Sequence, residues 1–146
     1  NQYRMNLAKE LGADLVLGKD DDVVKRILEA TDGRGVDNSC EFSGSPAALS
    51  NAIHSTRMGG YVNILSVYGQ TMTEIPMNEV VFRYLHLKGI NGRKMWSTWD
   101  KMHVLLEQGS IDVDRILTHR MPVSEFEQGI ALALSGECGK VVLDFD

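Results

Sequence analysis

The 146-residue chain is 43% hydrophobic and 24% charged and carries a formal charge of -5, a balance that fits one globular domain able to bury a core. Nucleic-acid partners are held by clustered Lys and Arg, so the acidic balance and the lack of any basic run argue against one. No apolar stretch nears the roughly 20 residues that cross a bilayer and no signal-peptide core opens the chain, which points to a cytoplasmic protein with no membrane partner.

Tyr3, Leu7, Ala8 and Leu11 recur at helical spacing and Gly12 supplies a stop, so a helix is predicted over residues 3–11. The chain opens at Asn1 without a methionine, and its first residues read as helix interior, so a segment upstream is expected. Leu15, Val16 and Leu17 read as a short buried strand. The acidic run Asp20, Asp21 and Asp22 then favours a helix start, and Val23, Val24, Ile27 and Leu28 line that helix.

Residues 31–35 form a turn that leads into a strand over 36–42. Ser45 is placed as a helix cap with Pro46 at the first helical position, where its missing N–H costs nothing. That helix is expected to run to about Arg57, with Gly59 and Gly60 as its stop and a strand over 61–65. A loop of 66–84 precedes a strand over 85–90 and a helix from Met95 to Gln108. Ile116 and Leu117 suggest a short strand, Ser124 and Glu127 match a capping box, and 140–145 read as a closing strand. Strands alternating with helices imply an α/β fold with a parallel sheet and crossover helices on its faces.

The chemistry-bearing motifs are sparse. G-x-G-x-x-G between a strand and a helix is absent, so no helix N-terminus is presented to a pyrophosphate in the usual way. His54, His86, His103 and His119 are scattered, without a Cys or carboxylate at metal-ligand spacing. His103 lies on the apolar stripe of its helix and reads as a packing residue, and Trp96, Trp99 and the methionines read as core or interface. Cys40 and Cys138 read as reduced, structural thiols. More informative are the residues just past each strand, because open parallel sheets bind ligands outside their carboxyl ends. These are Ser43 and Gly44, then Leu65, Ser66 and Val67, then Ile90 and Asn91. Gly44 is open to two readings, a tight turn or a ligand contact.

The series Gly33, Arg34, Gly35, Val36, Asp37, followed by Glu41, Gly44 and Gly59-Gly60, resembles the cofactor domain of medium-chain, zinc-dependent alcohol-type dehydrogenases after its first two strands. The closing residues 139–143 resemble the end of the same family. Tyr3-Arg4, Phe82, the stretch from Lys88 to Met102 and Thr118-His119-Arg120 are similar to the L-threonine 3-dehydrogenase subfamily. The resemblance implies a partial Rossmann fold, a doubly wound parallel sheet without its first two strands, over 1–115. Residues 116–146 would be a segment that returns to the catalytic domain.

It also implies NAD as cofactor and, in the whole protein, a zinc acting as Lewis acid on the hydroxyl of a small-molecule substrate, with its ligands outside this chain. By position it makes Arg4 an adenosine-ribose contact, the alternative being a surface arginine. Leu65, Ser66 and Val67 become the loop beside the nicotinamide, and Ile90 and Asn91 the next one. Ser66 stands where the subfamily commonly has glycine and Asn91 where it commonly has an aromatic residue. The chain alone is expected to be inactive. A polyol or diol dehydrogenase of the same family and a non-catalytic nucleotide-binding or dimerisation module are the alternatives. Homo-oligomerisation through the strand near 85–90 is expected, continuing one sheet through two subunits.

Overall fold

A computed structural model describes residues 1–145. In chain order the elements are α1 (Gln2–Glu10), α2 (Val23–Ala30), β1 (Val36–Glu41), α3 (Pro46–Ser55), β2 (Thr56–Ile64), α4 (Met77–Phe82), β3 (His86–Gly89), α5 (Ser97–Glu107), β4 (His119–Pro122), α6 (Phe126–Ser135) and β5 (Val141–Asp144). They divide into two compact units, one of 21–93 and one of 1–20 with the residues from 94 onward.

The 21–93 unit is a three-stranded parallel sheet in the order β1-β2-β3. Ser39 stands opposite Val62, and Val62 opposite Leu87. Three parallel strands in chain order agree with the parallel α/β sheet that the alternation of strands and helices implied. Parallel neighbours cannot be joined by a tight hairpin, and α3 and α4 provide the crossovers. Alternation along β2 sends Val62 into a core with Leu49 and Ile53 of α3 and with Leu85, while Tyr61 emerges on the opposite face and stacks on His86. Ala52, Ile64, Tyr68, Ile75, Val80 and Leu87 close around that core. Each large apolar side chain so buried stabilises the unit by roughly 1.5–3 kcal/mol.

Local signals explain several boundaries. The Asp22 carboxylate accepts from the Lys25 N–H to start α2, and the Ser45 hydroxyl accepts from the Ala48 N–H to start α3, with Pro46 in the first turn. The end of α3 differs from expectation. It stops at Ser55, not near Arg57, and Gly59-Gly60 lies inside β2. The helix is ended by other groups: Ser55 and Thr56 hydroxyls donate back to the Asn51 and Ala52 carbonyls, and the Arg83 guanidinium donates to the carbonyls of Ile53, His54 and Thr56. Gly60 is required by close approach within the irregular start of the β1–β2 pairing, where a Cβ would lie 2.5 Å from Thr56 Cγ2 and 2.9 Å from the Asp37 carbonyl.

Other expectations are corrected too. Leu15, Val16 and Leu17 form no strand; a strand needs a ladder partner, and none is paired with them among the described residues. The 66–84 loop contains α4. Ser124 and Glu127 make no capping box: a 3-10 turn over Val123–Glu125 leads into α6, whose cap position Glu125 makes no side-chain cap bond. The strand expected at Ile116 and Leu117 begins instead at His119.

In the other unit, the Asn1 side chain accepts from the Arg4 N–H, so Asn1 caps α1 and does not lie within it. β4 and β5 pair in parallel, with α6 against them, and Gly129 of α6 is buried where a Cβ would touch Met121, Leu143 and Val141. Gly136 takes the left-handed conformation that ends α6. Cys40 and Cys138 are both unpaired thiols, the first exposed and the second buried. α5 buries none of its residues: Trp96 and Trp99 are 73% and 55% exposed, so they are not core. His103 is likewise no packing residue; its Nε2 faces the Glu107 carboxylate at 3.1 Å on the helix surface.

Candidate functional site

The carboxyl ends of β1, β2 and β3 lie in a row because the strands are parallel and in register, and each is followed by one large apolar residue, Phe42, Leu65 or Ile90, and then by Ser43, Ser66 or Asn91. At the first end sits Glu41, 3% exposed, a carboxylate at the last position of a strand. Its Oε1 accepts from the Ser43 N–H (2.6 Å), the Ser43 hydroxyl (2.6 Å) and the Gly44 N–H (3.1 Å). Its Oε2 accepts from the Ser66 hydroxyl and from the Tyr68 hydroxyl (2.9 Å). Burial pushes the Glu41 carboxyl up, but the hydrogen bonds from Ser43, Ser66 and Tyr68 outweigh it and bring it down to about 2. The Tyr68 phenol is pushed up by burial and then by its bond to Glu41.

The second end is built around that carboxylate. The Leu65 N–H donates to the Glu41 carbonyl (2.9 Å), extending the sheet by one bond. The Ser66 side chain is turned to Glu41, whereas Val67 is 92% exposed. Gly44 has φ +71, and a Cβ there would lie 2.6 Å from the Val67 carbonyl oxygen. Both readings of Gly44 are therefore joined: it makes the turn, and it lets the first strand-end loop approach the second. At the third end the Ile90 N–H donates to the Ile64 carbonyl (2.9 Å), and Asn91 is exposed beyond it.

Leu65, Ser66, Val67, Ile90 and Asn91 thus occupy adjoining strand ends. Arg4 belongs to the other unit, where its Nε donates to the Cys138 carbonyl (3.2 Å). The residues that sequence reasoning missed as site-forming are Glu41 and Tyr68. The signal for the first was an acidic residue at the last position of a strand, followed by Ser43-Gly44; for the second there was none, since only the fold brings residue 68 back to residue 41. Among the described residues no group of three or more His, Cys, Asp or Glu side chains is arranged to hold a metal ion. The donors at the strand ends are engaged by Glu41 and by the neighbouring strands, so the arrangement presents a fixed loop surface there.

Residues 1–108 match the family model described as zinc-binding dehydrogenase. The chain is 40% identical to an L-threonine 3-dehydrogenase of Bacillus licheniformis over 98% of its length and 37% identical to that of Pyrococcus furiosus over 97%. It spans 42% and 41% of those relatives. Among solved structures, a 2R,3R-butanediol dehydrogenase from Bacillus subtilis superposes with a TM-score of 0.88 at 30% identity, covering 100% of this chain and 42% of that one. An alcohol dehydrogenase from Thermus sp. ATN1 gives the same TM-score and coverage at 26% identity.

Proposed function

Since this chain belongs to the zinc-binding dehydrogenase family, we propose that it is the cofactor-domain part of an NAD-dependent, zinc-requiring L-threonine 3-dehydrogenase that oxidises threonine to 2-amino-3-oxobutanoate. The observation that carries the reading is the row of three parallel strand ends, with Leu65, Val67 and Asn91 exposed just beyond them, the position at which open α/β sheets take ligands. Identity to threonine dehydrogenases over nearly the whole chain supports the substrate. Residues 1–115 are assigned to the cofactor domain and 116–146 to a segment returning to the catalytic domain.

Leu65, Ser66, Val67, Ile90 and Asn91, at adjoining strand ends, are assigned to the nicotinamide part of a dinucleotide, and Arg4 is assigned to the adenosine ribose on the resemblance alone. When bound, NAD supplies the hydride acceptor. The pyrophosphate is a poorer fit, because the glycine fingerprint is absent from these residues. Zinc does not fit the described residues at all, and its ligands are assigned outside them. The chain by itself is therefore inactive in this reading, and the whole protein is placed in the cytoplasm. β3 is the sheet's edge, paired only with β2 among the described residues, and Phe82 and Tyr84 beside it are exposed. It is assigned as the homodimer contact, which light scattering at high concentration tests; a monomer would contradict it.

The enzymatic reading is tested by purifying, with zinc, the complete open reading frame that contains these residues and following NADH formation. L-threonine should be the preferred substrate over butane-2,3-diol and polyols. Preference for a diol would replace this reading with the sibling one, which the superposition on the butanediol dehydrogenase favours. A start codon immediately before Asn1, with no turnover of any alcohol, would replace both with a non-catalytic nucleotide-binding or dimerisation module.

A further inference from the structure

We propose that Glu41 is a positioning residue for the ligand at the strand ends: its carboxylate clasps the Ser43-Gly44 turn to the Ser66–Tyr68 segment and so fixes the backbone that a nicotinamide ring meets. The inference rests on the cofactor-domain reading above and goes beyond it by assigning a role to a residue that does not itself touch the ligand.

Register pairing of β2 with its neighbours ends at Ile64, and a single further bond at Leu65 extends it. Beyond that point Val67 is almost wholly exposed, so side-chain packing does not hold the segment at that residue. Tyr68 packs against the core, and the bonds from Ser66 and Tyr68 to Glu41 Oε2 tie the segment to the first loop, where Glu41 is in turn fixed by the Ser43 and Gly44 donors on Oε1. The Gly44 backbone lies against the Val67 carbonyl, so the two loops have one mutual placement. An ionised carboxylate is an acceptor at both oxygens and suits donors on both sides. Glutamine keeps one acceptor oxygen for the Ser43 and Gly44 N–H groups, which can only donate, and points an amide N–H2 at the Ser66 and Tyr68 hydroxyls, which must turn to accept. The first loop keeps its anchor, and the second keeps only neutral bonds of reversed direction in place of charge-assisted ones. Phe at position 68 removes one donor and leaves Glu41 intact.

The test compares the 15N-labelled product of the complete open reading frame that contains these residues with its Glu41→Gln and Tyr68→Phe variants, titrating each with NADH and following backbone amides. In the parent chain NADH is expected to shift Gly44, Ser66, Val67 and Asn91. Glu41→Gln should weaken NADH binding about tenfold, the equivalent of one hydrogen bond to a charged group, and move the free-state amides of 66–68 while those of Leu49, Ile53 and Val62 stay in place. Tyr68→Phe should weaken binding less and displace the same segment. A merely structural role would move the core amides and leave the affinity of the folded fraction unchanged. If NADH binds both variants as tightly as the parent, the positioning role is overturned and the cofactor reading stands. If Glu41→Gln fails to fold, Tyr68→Phe decides alone by the same criterion. If NADH leaves the parent's strand-end amides unmoved, both inferences fall.

Discussion

Protonating Glu41 should loosen the 21–93 unit, and the size of the effect follows from its surroundings. The carboxyl is held at about 2 against an ordinary 4.5, by donors from Ser43, Ser66 and Tyr68 that overcome the opposing effect of burial. A carboxyl whose pKa is lower in the folded chain than in the unfolded one stabilises the fold fully above the unfolded value. That stabilisation is then lost as the pH falls from about 4.5 towards 2, and a displacement of this size corresponds to roughly 3 kcal/mol. This is a large share of the roughly 5–15 kcal/mol that holds a typical domain together. The assay is urea unfolding at pH 7 and at pH 2.5, read from the NMR methyl signals of Leu49 and Ile53 so that only this unit is observed.

Other acids titrate over the same range. Asp37 is held down by Arg57 and then Arg34, and Asp144 by Arg120. These contributions cancel when the parent is compared with Glu41→Gln, which cannot titrate at residue 41. The stability gap between the two should be wide at pH 7 and should lose most of its width by pH 2.5. A gap of constant width would refute the claim that the ionised carboxylate holds the two loops.

Gly44→Ala places a methyl 2.6 Å from the Val67 carbonyl oxygen at a φ of +71, and should cost about 2 kcal/mol by thermal unfolding, with amide shifts at 66–68; a neutral substitution would show that the two loops are free to separate. Ile53 is 0% exposed at the centre of the α3–β2 core, so Ile53→Ala should destabilise the unit by about 3 kcal/mol in urea. Arg120→Ala removes an exposed pair with Asp144 and should leave the melting temperature unchanged within error.

Much of the sheet was legible because its signals are local. Ser45 caps the helix that Pro46 opens, the Tyr61-Val62 part of β2 alternates between an exposed and a buried face, and Asp22 caps the helix it precedes. The misreadings came where a residue's partner is distant in sequence. Gly59-Gly60 looks like a helix stop, but the stop is made by Thr56 and by Arg83, almost thirty positions on, and Gly60 serves the pairing with β1. Leu15-Val16-Leu17 has strand composition, yet among the described residues no strand pairs with it. α5 carries a convincing apolar stripe, yet Trp96, Trp99 and Met102 stay exposed. Periodicity states which face wants cover and says nothing of what covers it. The strand-end residues were found by a topological rule that requires only strand order. Glu41 and Tyr68 escaped it, because a hydrogen-bonded clasp is a property of three-dimensional proximity.

The most direct test of the central claim is to look for magnetisation transfer between the nicotinamide ring protons of NAD and the methyl groups of these residues within the product of the complete open reading frame, with the ligand in excess. Contacts to the methyls of Leu65, Val67 and Ile90 are expected. Contacts confined to residues away from the three strand ends, or no contacts at saturating ligand, would contradict the assignment of these strand ends as half of a dinucleotide site.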